Sequence, residues 1–173
     1  MSHVKLRPMT SATTHMHEYK PLPEKAVEAA LSRARDFAKS RGKSLTTQRA
    51  AVFRLLLESG RPVGAYELMN RLSEEEDKQV APPTVYRALE FLQDLNLVSR
   101  IESTNEFLPC MHPGEPHDCM FMVCSCCGVA IEIDGAALDH MVDEAAKTIG
   151  FVPERRVVEI TGRCMDCKHH DHP

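Results

Sequence analysis

The chain has 173 residues, with 21 Lys and Arg against 25 Asp and Glu, a formal net charge of −4, nine histidines and seven cysteines. That length suits one ordinary domain or two small ones, and a small module buries too little apolar surface to hold itself together without a staple or a partner. No run of about eighteen apolar residues occurs and the start lacks the apolar stretch of a signal peptide, so neither export nor membrane insertion is expected and a cytoplasmic protein is predicted.

In a reducing cytosol an odd number of cysteines reads as metal ligands rather than as a disulfide framework, and zinc is the first candidate. The charge is unevenly distributed. Residues 24–100 hold 13 Lys and Arg and 11 Asp and Glu, net +2, whereas residues 101–173 hold 5 and 13, net −8. The first half is therefore the one suited to approach a polyanion.

Residues 1–23 mix Ser, Thr, His and Pro with little apolar periodicity and are expected to form a flexible tail. From Glu24 to Arg41, Val27, Ala30, Leu31, Ala34, Phe37 and Ala38 fall on one helical face, and Gly42 follows as a stop. "LTTQRAAVFRLLLESG" opens on a threonine N-cap, turns Val52, Phe53, Leu56 and Leu57 inward, and closes on Gly60. A short third helix is expected over Ala65–Leu72, ahead of the acidic loop "SEEEDKQ". In "APPTVYRALEFLQDLNLV" the two prolines suit a first turn, because their missing N–H groups would have no partner there. Val85, Ala88, Leu89 and Leu92 make its inner face, leaving Thr84, Arg87 and Glu90 outward.

"LVSRIE" and "EFLPC", separated by "STN", read as a hairpin. Three helices closed by a hairpin are the pattern of a winged helix, whose last helix enters the major groove of DNA. Past Cys110 the polar "MHPGEPHD" marks a hinge or domain boundary. Strands follow in "CMFMVC" and "VAIEI", then a helix over Ala136–Ile149 with Leu138, Met141, Val142 and Ala145 on one face, then a strand in "ERRVVEITGRC". The fold class is α+β: residues 24–109 a winged helix, 110–118 a hinge, and 119–173 a small second module. The terminal "KHHDH" reads as a solvated tail.

Cys124-x-x-Cys127 and Cys164-x-x-Cys167 each offer two thiolates, and together they complete a tetrahedral four-cysteine set of the closed, structural zinc type. Zinc bound to such a set contributes about 10–16 kcal/mol at neutral pH, more than so small a core supplies. A thioredoxin-like redox role needs one Cys-x-x-Cys opening a helix after a central strand, and neither pair is so placed. Cys126 is an alternative to its neighbour, although the Cys-x-x-Cys spacing and the turn at Gly128 favour Cys124 with Cys127. A second constellation surrounds the hinge: Cys110, His112, His117, Cys119 and Glu132. It reads as polar residues on the surface or as a mixed metal site. Without a Gly-flanked elbow or an oxyanion motif it does not read as a thiol nucleophile with its base, so no enzyme is expected. A mixed site spanning a hinge makes domain geometry depend on metal occupancy.

"TTQR", "AYELMNRL", "PPTVYRALEFL", "RIESTNEF", the Cys110 connector and the two knuckles together resemble the ferric uptake regulator superfamily, and within it the zinc uptake regulator branch, over residues 24–167. The resemblance implies a homodimeric, zinc-responsive repressor that binds a palindromic operator on double-stranded DNA. It makes residues 119–173 a dimerisation domain, and Cys124, Cys127, Cys164 and Cys167 the structural zinc ligands. Three of the four regulatory zinc ligands of that branch fall on Cys110, His117 and Glu132. The fourth, a histidine in the enterobacterial pattern, falls on Ser99, a poor ligand, so His112, Cys119, a tail histidine or water is expected to complete the shell. Tyr66 and Arg87 match DNA-contacting residues, with Thr84 and Tyr86 beside them. Asn70 and Ser73 stand where the enterobacterial pattern has an Asp and an Arg that pair between adjacent dimers, so cooperative binding through that contact is not expected. The rival readings are an iron- or peroxide-responsive member of the superfamily and a zinc storage or transfer protein that does not bind DNA.

Overall fold

The structure, a computed structural model, describes residues 16–110, 119–134, 136–153 and 156–168. It opens with a strand, β1 (Met16–Glu18), followed by α1 (Glu24–Ser40), which buries Val27, Leu31, Ala34 and Ala38 at the spacing expected of an amphipathic helix. α2 (Thr47–Ser59) is capped by Thr46, whose side-chain oxygen accepts the Arg49 N–H at 3.5 Å, and it ends at Gly60 with φ +61°. Gly60 is required twice over. Its φ is left-handed, and a Cβ there would stand 2.1 Å from Pro21 Cδ.

A two-residue strand, β2 (Val63–Gly64), leads into α3 (Ala65–Glu75), which takes in the start of the acidic stretch rather than stopping at Leu72. Glu75 is held in this extra turn by Arg54 of α2, which also pairs with Glu58 at 3.0 Å, an α2–α3 tie that no single-helix pattern reveals. α4 (Pro82–Asp94) carries its prolines in the first turn and buries Val85, Ala88, Leu89, Phe91 and Leu92. β3 (Val98–Ile101) and β4 (Glu106–Pro109) form the hairpin, and β2 pairs with β4 to complete an antiparallel sheet of order β2-β4-β3. The helices and this wing enclose one core that includes Val52, Leu55, Leu56, Leu68, Leu89 and Leu92.

Beyond the connector lie β5 (Cys119–Cys124), β6 (Ala130–Asp134), α5 (Ala136–Thr148), β7 (Val158–Gly162) and the one-turn α6 (Met165–Lys168). The sheet order is β1-β6-β5-β7, with β5 and β6 antiparallel and β5 and β7 parallel, the latter joined through α5 as a parallel pair requires. Among the described residues no helix is long and apolar enough to cross a membrane.

Successive side chains of β4 take opposite faces. Phe107 enters the helical core, and Leu108 joins Ile101, Tyr19, Phe121, Val123 and Ala130 in a second cluster. The wing is therefore buried on both sides, by helices on one and by the second sheet on the other.

Residues 16–22 depart from the expected tail. β1 pairs with β6, Tyr19 is buried in the second cluster, and the Leu22 N–H donates to the Leu57 carbonyl at 3.1 Å. The segment has no helical or strand period because its order comes from a distant strand and from one aromatic anchor. Residues 1–15 and 169–173, with the two histidine-bearing ends, lie outside the described residues. On α5, Leu138 and Val142 are half-buried, whereas Met141 (68% exposed) and Ala145 face outward.

Candidate metal and DNA-binding sites

The four-cysteine constellation is built by strand register. β5 and β7 run parallel with Cys124 level with Gly162, and the Ser125 N–H donates to the Gly162 carbonyl at 2.8 Å, so the two chain ends leave the sheet side by side. After β5 the chain reverses through Gly128, φ +72°, whose N–H donates to the Cys124 carbonyl at 2.9 Å; this turn returns Cys127 toward Cys124. After β7, α6 brings Cys167 back over Cys164, with the Cys167 N–H on the Cys164 carbonyl at 3.1 Å.

The four Sγ atoms of Cys124, Cys127, Cys164 and Cys167 all lie within 4.8 Å of one another, and Cys127 Sγ is 3.7 Å from Cys164 Sγ. A tetrahedral zinc with Zn–S bonds of about 2.3 Å needs sulfur–sulfur edges of about 3.8 Å, so this donor set fits zinc in size and chemistry. Cys126 is exposed and outside the set. Backbone N–H groups of Cys127, Cys164 and Cys126 aim at Cys124 and pull its thiol down to about 6, while the thiols of Cys126, Cys164 and Cys127 push Cys167 upward. One thiolate is prepared by the backbone, and the next is resisted by its neighbours. A bound cation is what allows the remaining thiols to ionise.

Among the described residues these four are the one set of three or more potential metal-binding side chains drawn together. Cys110 is buried directly after β4, its N–H donating to the Leu97 carbonyl at 2.9 Å. Glu132, on β6 opposite Phe121 and His17, is 3% exposed, and its Oε2 accepts a hydrogen bond from the Tyr19 hydroxyl. Cys119 stands level with Asp134 at the start of β5, and Ser99 is half-buried on β3 opposite Leu108. His112 and His117 lie outside the described residues.

The exposed face of the helical half carries the other named residues. Tyr66 is 68% exposed on the first turn of α3; on α4, Tyr86 is 37% exposed, Arg87 and Glu90 face solvent, and Thr84 is half-buried. Beside Arg87 an open hollow is lined by Lys43, Ser44, Arg49, Glu90, Phe91 and Asp94. The Arg49 guanidinium stacks 3.6 Å from the Phe91 ring centroid and donates to the Ser44 carbonyl at 2.7 Å, while Lys43 reaches Asp94 at 3.4 Å. Lys43 and Arg49 are cations that the α4 pattern alone does not bring to Arg87; for Arg49 the signal in the sequence is the "TTQR" stretch at the start of α2.

The two halves are also joined by an acid. Glu159 of β7 accepts the backbone N–H groups of Glu102 and Ser103 at the wing turn, the latter at 3.0 Å. Burial pushes this carboxyl up, but the Ser103 hydroxyl and those two N–H groups outweigh burial and hold it below the usual range.

A profile of the ferric uptake regulator family matches residues 40–161. The zinc uptake regulation protein of Escherichia coli (strain K12) is 34% identical over 138 residues, spanning 79% of this chain and 80% of that protein. Among solved structures, a zinc uptake regulator complexed with zinc and DNA matches with a TM-score of 0.77 at 33% identity, covering 82% of this chain and 94% of that one. Holo XcZur matches with a TM-score of 0.73 at 36% identity, covering 80% and 96%.

Proposed function

The chain belongs to the ferric uptake regulator family, and we propose that it is a zinc-responsive transcriptional repressor of zinc uptake genes, a cytoplasmic homodimer that binds a palindromic operator and is not an enzyme. Residues 24–109 form its DNA-binding domain, 110–118 the hinge and 119–173 the dimerisation domain. The observation that carries the reading is the doubly buried wing. Phe107 belongs to the core of the DNA-reading helices and Leu108 to the cluster under the metal-bearing sheet, so a change on either side of the hinge is felt on the other.

Cys124, Cys127, Cys164 and Cys167 hold the structural zinc, which supplies the cross-link between β5 and β7 that a small core lacks. Cys110, His117 and Glu132 hold the regulatory ion. Cys110 precedes the connector and Glu132 follows it, so the set is complete in only one placement of the two domains. Reversing a 1:99 preference between open and closed placements needs about 5.5 kcal/mol of differential affinity, which a site the open form does not assemble can provide. Arg87 and Tyr66 read bases or pack on sugar, with Thr84 and Tyr86 beside them, and Lys43 and Arg49 meet phosphate. Dimerisation is supported by apolar surface on the C-terminal module at Met141, Ile149, Phe151, Val152 and Val157, which a single chain leaves exposed.

The test is zinc per chain by elemental analysis before and after mild chelation, with binding to a palindromic zinc-uptake promoter followed in parallel. Two ions falling to one, with DNA binding lost and the dimer kept, is the expected result. One ion throughout, with DNA binding indifferent to zinc, removes the sensor; iron or manganese restoring DNA binding better than zinc replaces the metal.

A further inference from the structure

A buried carboxylate needs partners to hold it, and Glu132 is the buried charged residue of the described chain. One of its partners comes from an unexpected place. The Tyr19 hydroxyl donates to Glu132 Oε2 across 113 positions of sequence, from a segment upstream of the helical domain. Three attachments fix where that hydroxyl sits. Behind it, β1 is zipped onto β6 with Met16, His17 and Glu18 level with Ile133, Glu132 and Ile131. Its ring is packed among Ile101, Leu108, Phe121, Val123 and Ala130, residues drawn from the wing and the second sheet. Ahead of it, the Leu22 N–H is bonded to Leu57 at the end of α2, where Pro21 crosses Gly60. Residues 16–22 are thus a strap fastened at one end to the second sheet and at the other to the DNA-reading helices, with the Tyr19 hydroxyl on the carboxylate between them.

We propose that Tyr19 is a positioning residue for metal sensing: its hydroxyl orients the Glu132 carboxylate, and through the strap it ties the state of that carboxylate to α2. The proposal rests on Glu132 being a regulatory ligand. Partners one shell out from a metal ligand fix its orientation, and losing one typically costs about 10- to 100-fold in metal affinity. Tyr19 makes the partner a part of the hinge itself.

The experiment is zinc titration of the full-length dimer against a competing chelator, for wild type, Tyr19→Phe, Glu132→Gln and the double variant. Phenylalanine keeps the ring in the cluster and removes only the hydroxyl. Tyr19→Phe should weaken the removable zinc about 10- to 100-fold while keeping the tightly held zinc and the unfolding midpoint, and it should add no further loss on top of Glu132→Gln. An unchanged affinity for the removable ion, or a loss that adds fully to that of Glu132→Gln, overturns the proposal. Glu132→Gln without effect on the removable zinc overturns it too, and separately removes Glu132 from the sensing site. If Tyr19→Phe fails to fold, wild type supplies the readout. The chain has three tyrosines and no tryptophan, and Tyr66 and Tyr86 are exposed, so the buried phenol dominates any near-ultraviolet change. Withdrawing only the removable zinc should shift that absorbance, and no shift refutes the coupling.

Discussion

Replacing Cys124 by Ser should separate a module that depends on bound metal from one that does not. The helical half draws its core from residues 27–107, including Leu55, Leu56, Leu68, Leu89 and Leu92, all fully buried or nearly so. The second module has far less, chiefly Phe121, Val123, Ala130 and Ile133, and part of that is shared with the wing. Burying a side chain such as Phe121 or Val123 contributes about 1.5–3 kcal/mol. A zinc held by four cysteines contributes about 10–16 kcal/mol, so it outweighs any of these residues severalfold and its loss is not absorbed by repacking. The Cys124→Ser chain should retain no tightly bound zinc, sediment as a monomer and be cut by protease between residues 119 and 168. Most of its helical circular dichroism should remain, because α1–α4 carry most of the helical residues. A variant that stays dimeric, resists protease across that stretch and melts within a few degrees of wild type would refute the reasoning, since it would show that packing alone supports the module.

Cys110→Ala should abolish zinc-dependent DNA binding while the dimer and one zinc per chain persist; a monomeric or unfolded product counts against the regulatory assignment. Arg87→Ala should cost about 1–3 kcal/mol at one operator position if it pairs with a guanine. A uniform loss across sequences, with the salt slope reduced by about 0.9, instead places it on phosphate. Leu92, 0% exposed, should cost about 2–5 kcal/mol when truncated to Ala, read as a lower urea midpoint for the helical half. Glu159 is held below the usual carboxylate range in the fold, so its contribution is complete above the unfolded value of about 4.3 and fades as pH falls through the lower folded value. Melting temperature should therefore drop more steeply between about pH 5 and 3 for wild type than for Glu159→Gln, and parallel curves exclude the linkage.

The readable parts of this protein were those written in neighbouring residues. Thr46 and Gly60 bound α2, the prolines at 82 and 83 open α4, and Val85, Ala88, Leu89 and Leu92 face inward, because helix caps and a 3.6-residue period are properties of a few consecutive positions. The four thiols were nameable for the same reason, since a Cys-x-x-Cys spacing is local. That the two pairs share one ion followed from zinc's need for four ligands, but the means of their convergence did not, because it depends on β5 and β7 lying parallel with Cys124 level with Gly162. The extra turn of α3 hangs on Arg54 and Glu75, the pairing of β2 on β4, and the burial of Leu108, on the face of β4 opposite Phe107, on a second sheet further along the chain. Most distant of all is the strap, where Tyr19 meets Glu132. A strand of three residues with no period of its own becomes ordered only when a partner strand from the far end of the chain supplies its hydrogen bonds, and no local propensity records that partner.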